Sequence, residues 1–272
     1  MAGAAAVYHG PVRVRAPEPV YRIAIVAGRL LFSSWRLRRT ETGTEHIPVT
    51  GGAVLAMTHF GYLEFALVEW VTWLRTRRHI RFLAKQSVFE RPVVGTLMRS
   101  MRHIPVDMSA GAGAFRRAVD ALEEGELIGV FPEAGVSASF TVREFKTGAV
   151  RLAAQAGVPV IPVAVWGGHR LLTKNRRIGF RERFGMPVAF AFGEPIPVGP
   201  DDDAQERTAE LRSTVTRMVA ELQAAYPADG TGQWWQPCHL GGSAPTPEDA
   251  AAADAERDAR RRVAAERRAQ RR

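Results

Sequence analysis

A histidine and a glutamate stand five positions apart in the stretch MTHFGYLEF, residues 57–65, and both are residue types that can do acid–base chemistry. A carboxylate that accepts a proton from one imidazole nitrogen fixes the ring's tautomer and leaves the other nitrogen free to take a proton from a hydroxyl. The spacing restricts where this can happen. On a continuous helix five residues turn through about 500°, so the side chains of His59 and Glu64 would point about 140° apart. They meet only if His59 sits in a turn ahead of the helix, with Gly61 allowing a sharp bend. Taken alone the pair is a weak signal, because a histidine five residues from an acid recurs by chance.

Three further stretches are candidates. VFPEAGVS, residues 130–137, stops a hydrophobic run at Pro132 and delivers Glu133 into a loop of small residues that includes Gly135 and Ser137. FKTG, residues 145–148, presents Lys146 just ahead of a helix, where free amide donors can help hold an anion. VPVIPV, residues 158–163, reads as a core strand. Each also has an ordinary structural explanation: a strand end with its turn, a helix cap with a solvated lysine, and a buried strand.

The elements that must position these residues follow from the hydrophobic pattern. Short apolar runs predict strands over 53–57, 81–84, 103–106, 127–131, 159–166 and 188–193. Helical spacing predicts helices over 63–74, 92–100, 115–124, 148–157 and 202–225, the third closed by Gly125. Residues 40–52 read as a turn-rich link. Strands alternating with helices define an α/β fold, a mixed, largely parallel central sheet flanked by helices. In such sheets the loops leaving the carboxyl ends of the strands carry function, and His59 and Glu133 both lie just past a predicted strand.

Outside the globular part at 40–226, residues 1–19 read as a loose arm, 20–39 as an amphipathic helix, and 227–272 as a Trp-containing linker with a charged, partly helical Ala/Arg-rich tail. The helix at 21–35 is interrupted by Arg22 and Arg29 and carries Trp35 at its end, which leaves two readings open, an interfacial membrane anchor or a helix docked on the core. No run reaches the roughly 18 apolar residues of a spanning helix. The net charge of +9 over 272 residues favours an anionic partner, be it a membrane surface, nucleic acid or a phosphorylated substrate. Cys238 is the single cysteine, so no internal disulfide or cysteine-based zinc site can form within one chain.

In their order, these stretches resemble the lysophospholipid acyltransferase family, which includes 1-acylglycerol-3-phosphate acyltransferase. The family's first block, Asn-His-x4-Asp, is matched by THFGYLE (58–64), preceded by GTEHIP (43–48) where the family has Gly-x-Glu-x-Ile-Pro. The second block is matched by RHIPVDM (102–108), the third, Phe-Pro-Glu-Gly-Thr-Arg-Ser, by FPEAGVS (131–137), and the fourth by VPVIPVAV (158–165). Lys85, in FLAKQSVF, falls where the family keeps a lysine. The likeness covers about residues 40–200, and GYLEF with SASF (137–140) is similar to the actinobacterial branch. The resemblance implies an acyltransferase domain over 40–226, with His59 as base and Glu64 as its orienting acid. It sets Lys85, Arg102, Glu133, Gly135, Ser137 and Lys146 on the substrate side. It implies an acyl thioester donor, acyl-CoA or acyl carrier protein, and a lysophospholipid acceptor, foremost 1-acylglycerol 3-phosphate giving phosphatidic acid. It calls for no metal and no cofactor, an anionic membrane surface as partner in place of nucleic acid, and a peripheral position on the cytoplasmic face of the membrane or partly in the cytosol.

Three residues depart from the family pattern. The first-block acid is Glu64 instead of Asp, and the arginines that close the second and third blocks are replaced by Met108 and Val136. Two charge-assisted contacts to a phosphate, each worth about 1.5–3 kcal/mol, are thereby missing unless Lys85, Arg102 or Lys146 replaces them. Two rival enzymes lack their signatures. No Gly-x-Ser-x-Gly elbow supports a serine hydrolase, and no His-Glu-x-x-His helix joins His59 to His79 or His103 as a metal site. An acceptor other than a lysophospholipid, or a noncatalytic basic lipid-binding protein, remains the alternative.

Overall fold

In the computed structural model, which describes residues 18–107, 111–174 and 176–270, the apolar runs assemble into one seven-stranded sheet. In chain order the elements are α1 (Pro19–Ser34), β1 (Arg38–Thr42), β2 (Ala53–Met57), α2 (Glu64–Thr76), β3 (Ile80–Lys85), α3 (Gln86–Phe89), α4 (Pro92–Ser100), β4 (Ile104–Val106), α5 (Gly111–Glu123) and β5 (Leu127–Val130). They continue with α6 (Gly148–Ala156), β6 (Val160–Trp166), α7 (Phe180–Arg183), β7 (Pro187–Phe192), α8 (Ala204–Ala224) and α9 (Pro247–Gln270). The strand order is β1-β7-β6-β2-β5-β3-β4, and all neighbours are parallel except β6 and β7. The expected mixed, largely parallel α/β sheet is therefore present.

The central strands are apolar throughout because both faces are covered. Side chains alternate across the sheet. Val54, Ala56, Ile128, Val130 and Trp166 pack with α5, α6 and α8, whereas Ala53, Leu55, Met57, Leu127 and Val165 pack with Phe32 and Trp35 around α1 and with Leu67, Val68 and Val71 of α2. The sequence-predicted strands and helices recur with bounds shifted by a few residues. The exception is β1, which takes the end of the stretch expected to be amphipathic helix, since α1 stops at Ser34, and the start of the link. Its sequence, RRTET, has no apolar residue and is exposed throughout, and it is a strand because parallel pairing with β7 satisfies its backbone at the sheet edge. The tail read as partly helical is the helix α9. Of the N-terminal arm, residues 1–17 lie outside the described residues, as does Met108.

Both readings of the N-terminal helix describe part of α1. Its inner face is docked: the buried Tyr21 hydroxyl donates to the Ile80 carbonyl at 2.7 Å, and Glu18, just ahead of the helix, pairs with the buried Arg81 of β3, Nη1 donating to Oε2 at 2.6 Å. Its outer face leaves Ile23, Val26, Leu30 and Leu31 exposed.

β2 and β5 are paired parallel neighbours, with Ala53 opposite Leu127, so the residues that follow them emerge at the same edge. Their starting points are held by one side chain. The guanidinium of buried Arg78 donates to the carbonyls of Pro48 and Gly51, ahead of β2, at 2.6 Å each, and of Gly125, ahead of β5, at 2.5 Å. Charge-assisted bonds of this kind contribute about 1.5–3 kcal/mol each, and deleting the donor strands buried carbonyls. Arg78→Met is expected to lower stability by about 3 kcal/mol, read as a lower urea midpoint at unchanged slope, with Arg78→Lys between the two.

Candidate active site

His59 sits where the rotation argument requires. β2 ends at Met57, the chain turns through Thr58 to Leu63, and α2 begins at Glu64. Thr58 ties the turn to the neighbouring strand, its amide donating to the Val163 carbonyl and its Oγ1 accepting from the Val165 amide, both at 3.1 Å. Gly61 does not use a left-handed conformation. It is required by close approach, because a Cβ there would lie 2.7 Å from the His169 Cα. Glu64, fully buried at the first position of α2, turns its carboxylate back so that Oε2 accepts the Phe60 amide at 2.9 Å and lies 3.6 Å from His59 Nδ1. The helix N-terminus favours that negative charge. The extra methylene of Glu64 has room because residue 168 is glycine, where a Cβ would stand 3.2 Å from Glu64 Cγ.

The His59 ring stacks on Phe131 with centroids 4.0 Å apart. Its Nδ1 is sealed from solvent, so the 19% exposure of the side chain belongs to the rest of the ring. Burial lowers the imidazole to about 4, with the Glu133 carboxylate opposing this shift. Burial likewise pushes the Glu64 carboxyl well above the usual carboxylate range, against the amides of Gly61 and Phe60. At neutral pH the ring is a neutral base.

The loop after β5 grips the peptide of His59 from both sides. Glu133 Oε1 accepts the His59 N–H at 2.9 Å, and the Ser137 N–H donates to the His59 carbonyl at 2.8 Å. Glu133 Oε2 accepts the Arg143 amide at 3.2 Å, so both oxygens are engaged by backbone. Burial raises this carboxyl to about 7. The Ser137 hydroxyl is buried and donates to the Thr141 carbonyl at 2.8 Å, so what it presents to His59 is its backbone amide.

The structure distributes the other sequence candidates unevenly. Gly135 lies in the same loop, its open α-carbon facing Arg143, where a Cβ would stand 3.5 Å from Nη1. Lys146 is exposed just ahead of α6, and its amide donates to the Pro132 carbonyl at 3.0 Å. Lys85 is exposed at the carboxyl end of β3, two strands or about 10 Å across the sheet from β2. Arg102 is not part of this constellation. It precedes the edge strand β4 at the amino end of the sheet, three strands from β2, and its guanidinium pairs with Glu126 at 3.3 Å and Glu18 at 3.8 Å. Its motif position could not tell which end of the strand it occupies. Val136 is buried, so the position that carries an arginine in the family supplies packing here. Two cations missed in the sequence stand close by: Arg143, bonded through its amide to Glu133, and Lys174, which follows Thr173, whose Oγ1 donates to the Phe60 carbonyl at 2.9 Å. No motif flags either one. Among the described residues no group of three or more His, Cys, Asp or Glu could hold a metal.

A neutral imidazole beside a buried glutamate, at the carboxyl edge of a largely parallel sheet, is an arrangement able to take a proton from a hydroxyl. The acyltransferase family profile matches residues 38–166, a span that includes the turn and the loop. An uncharacterized protein of Mycobacterium tuberculosis (strain ATCC 25618 / H37Rv) is 30% identical over 251 residues, covering 76% of this chain and 68% of its own. A 1-acyl-sn-glycerol-3-phosphate acyltransferase of Bacillus subtilis (strain 168) is 27% identical over 183 residues, covering 66% of this chain and 85% of its own. The crystal structure of the 1-acyl-sn-glycerophosphate acyltransferase PlsC from Thermotoga maritima shares the fold, with a TM-score of 0.63 at 24% identity over 76% of this chain and 81% of that one. The chain belongs to the acyltransferase family and is an O-acyltransferase. The mycobacterial relative agrees with the actinobacterial character of its motifs.

The buried groups give a pH signature. His59 and His103, each held at about 4 by burial, and His169, at about 3, contribute stability that is present above 6.5 and lost as pH falls through those values. Glu133, raised from 4.5 to about 7, acts in the opposite sense: its contribution is present below 4.5 and lost as pH rises through about 7. Acidification from 7 to 4.5 therefore destabilises through the histidines and is offset by Glu133. In Glu133→Gln the loss of stability over this range is expected to be steeper, by up to ~1.4 kcal/mol per pH unit, in urea melts at stepped pH. Parallel slopes would contradict proton uptake by Glu133.

Proposed function

We propose that the chain transfers a fatty acyl group from acyl-CoA or acyl carrier protein to a hydroxyl of a lysophospholipid, with 1-acylglycerol 3-phosphate as acceptor and phosphatidic acid as product. The observation that carries this reading is the His59 ring, with Nδ1 sealed 3.6 Å from the Glu64 carboxylate and its remaining edge at the surface. Nε2 takes the proton of the acceptor hydroxyl as its oxygen attacks the thioester carbonyl. The tetrahedral intermediate collapses by breaking the C–S bond, and the thiolate leaves with the proton carried by the imidazolium. That imidazolium forms beside the Glu64 carboxylate, which steadies it. No acyl-enzyme is needed, and exchanging a thioester for an ester calls for no redox cofactor. Glu133 and Ser137 serve by holding the His59 peptide. The names of the Bacillus subtilis and Thermotoga maritima relatives support the choice of acceptor. Val136 favours a second reading, an acceptor without phosphate.

His59→Ala is expected to lower thioester consumption at least about 100-fold across lysolipid acceptors, and Glu64→Gln about tenfold or more, at unchanged folding. Wild-type rates in His59→Ala would sink the base assignment.

Such an acceptor resides in a membrane. Among the described residues no helix is long and apolar enough to cross one. The exposed Ile23, Val26, Leu30 and Leu31 of α1, beside Val93, Val94 and Leu97 of α4, offer an apolar face flanked by Arg22 and Arg29. This reading sets the enzyme peripherally on the cytoplasmic leaflet, α1 in the headgroup region. Ile23→Glu with Leu30→Glu is expected to reduce co-sedimentation with anionic vesicles several-fold, and unchanged binding would count against α1.

A further inference from the structure

Two cations beside the His59 turn are occupied by an acid from the far end of the chain. Asp254 of α9 places Oδ1 2.5 Å from Lys174 Nζ and Oδ2 3.4 Å from Arg143 Nη1. Arg257, one turn further along, closes on Oδ1 at 3.2 Å. The two cations are tied to the site through different segments: Arg143 shares the Glu133 carboxylate with His59, and Lys174 follows the residue bonded to the Phe60 carbonyl. The charge of Lys174 adds to the lowering of the His59 pKa.

The helix that brings Asp254 is weakly attached. Within residues 247–260 only Ala250, Asp254 and Arg257 are less than exposed, a stripe at i, i+4 and i+7 on one side of α9. Among the described residues α9 has no extensive packing against another helix or strand, and the ion pairs of Asp254 tie it to the body of the protein. The Asp254 carboxylate carries one negative charge against three cations, Lys174, Arg143 and Arg257 of its own helix. A phosphomonoester carries up to two and offers three acceptor oxygens.

We propose that Lys174 and Arg143 form the phosphate-binding site for the acceptor in this chain, and that the Asp254 carboxylate occupies it until the phosphate displaces it. The assignment rests on the lysophospholipid reading above. It supplies the two positive charges absent at Val136 and, by sequence, at Met108, from segments outside the four motifs. Lys174 and Arg143 belong to the body of the protein and Asp254 to the loosely held helix, so the carboxylate is the part that moves.

The test separates binding from turnover. In full-length His59→Ala protein, which holds the acceptor without consuming it, a short-chain 1-acylglycerol 3-phosphate is titrated by calorimetry. Adding Asp254→Ala is expected to tighten binding several-fold. Adding Lys174→Ala or Arg143→Ala is expected to weaken it at least about tenfold, the effect of losing one charge-assisted contact. The uncharged 1-monoacylglycerol should bind all four proteins alike, which also reports that they are folded. The proposal is overturned if Lys174→Ala and Arg143→Ala bind the phosphorylated acceptor as the parent does, if Asp254→Ala gains nothing, or if no variant distinguishes the two acceptors. Failure of the acyltransferase reading is separate and shows in the His59-intact enzyme, as no thioester loss with any acceptor.

Discussion

The grip of the 133–137 loop on the His59 peptide is the constraint on which the site depends. One carboxylate oxygen and one amide hold the N–H and the carbonyl of a single residue, which fixes its φ and ψ and hence the direction of the imidazole. The grip exists because β2 and β5 are parallel neighbours in register, so the turn after one and the loop after the other leave the sheet together. Arg78 sets that register from the opposite end, joining the starts of both strands through three carbonyls. The loop needs a sharp reversal to come back onto His59. Ala134 makes it with φ of 56°, a left-handed conformation that costs an L-residue about 1–2 kcal/mol and where the family motif has glycine.

Concentrating ionisable groups in this space has an electrostatic consequence. His59, Glu64 and Glu133 are each shifted by burial toward their neutral forms. Those shifts are tolerable only because backbone amides reach the carboxylates: Phe60 at Glu64, and His59 and Arg143 at Glu133. The result is a dry, preorganised pair in which the charge that forms as the imidazole takes up a proton favours the ionised form of Glu64, so the acid is worth more to the protonated ring than to the neutral one. A solvated His–Glu pair would gain far less.

Much of this was legible in the sequence. The apolar runs gave strands and their order along the chain, and the five-residue spacing forced His59 into a turn and Glu64 to the head of a helix. Four things were not legible, each for a physical reason. β1 has no apolar residue, and only an edge partner makes it a strand. Gly61 lies in the bend its position predicts, but what demands glycine there is the His169 backbone, over a hundred residues away. The motif order that sets Arg102 with the substrate residues carries no information about which end of a strand a side chain occupies; its partners Glu18 and Glu126 make it part of the ionic cluster around Arg81, which fastens α1 to the sheet. Lys174 and Arg143 come together only through the fold.

Val136 links these observations. An arginine at that position could reach a ligand, but it would keep the loop open to solvent. Valine buries there, directly ahead of the Ser137 amide that holds the His59 carbonyl, so the loop is anchored by the core whether or not an acceptor is bound. A phosphorylated acceptor would then meet its positive charges elsewhere. Of the two cations beside the turn, Arg143 is tied to the loop itself, its amide donating to Glu133, whereas Lys174 follows Thr173, which is held by its hydrogen bond to the Phe60 carbonyl. Val136 thus exchanges a charge for an apolar anchor on the loop that holds the His59 peptide.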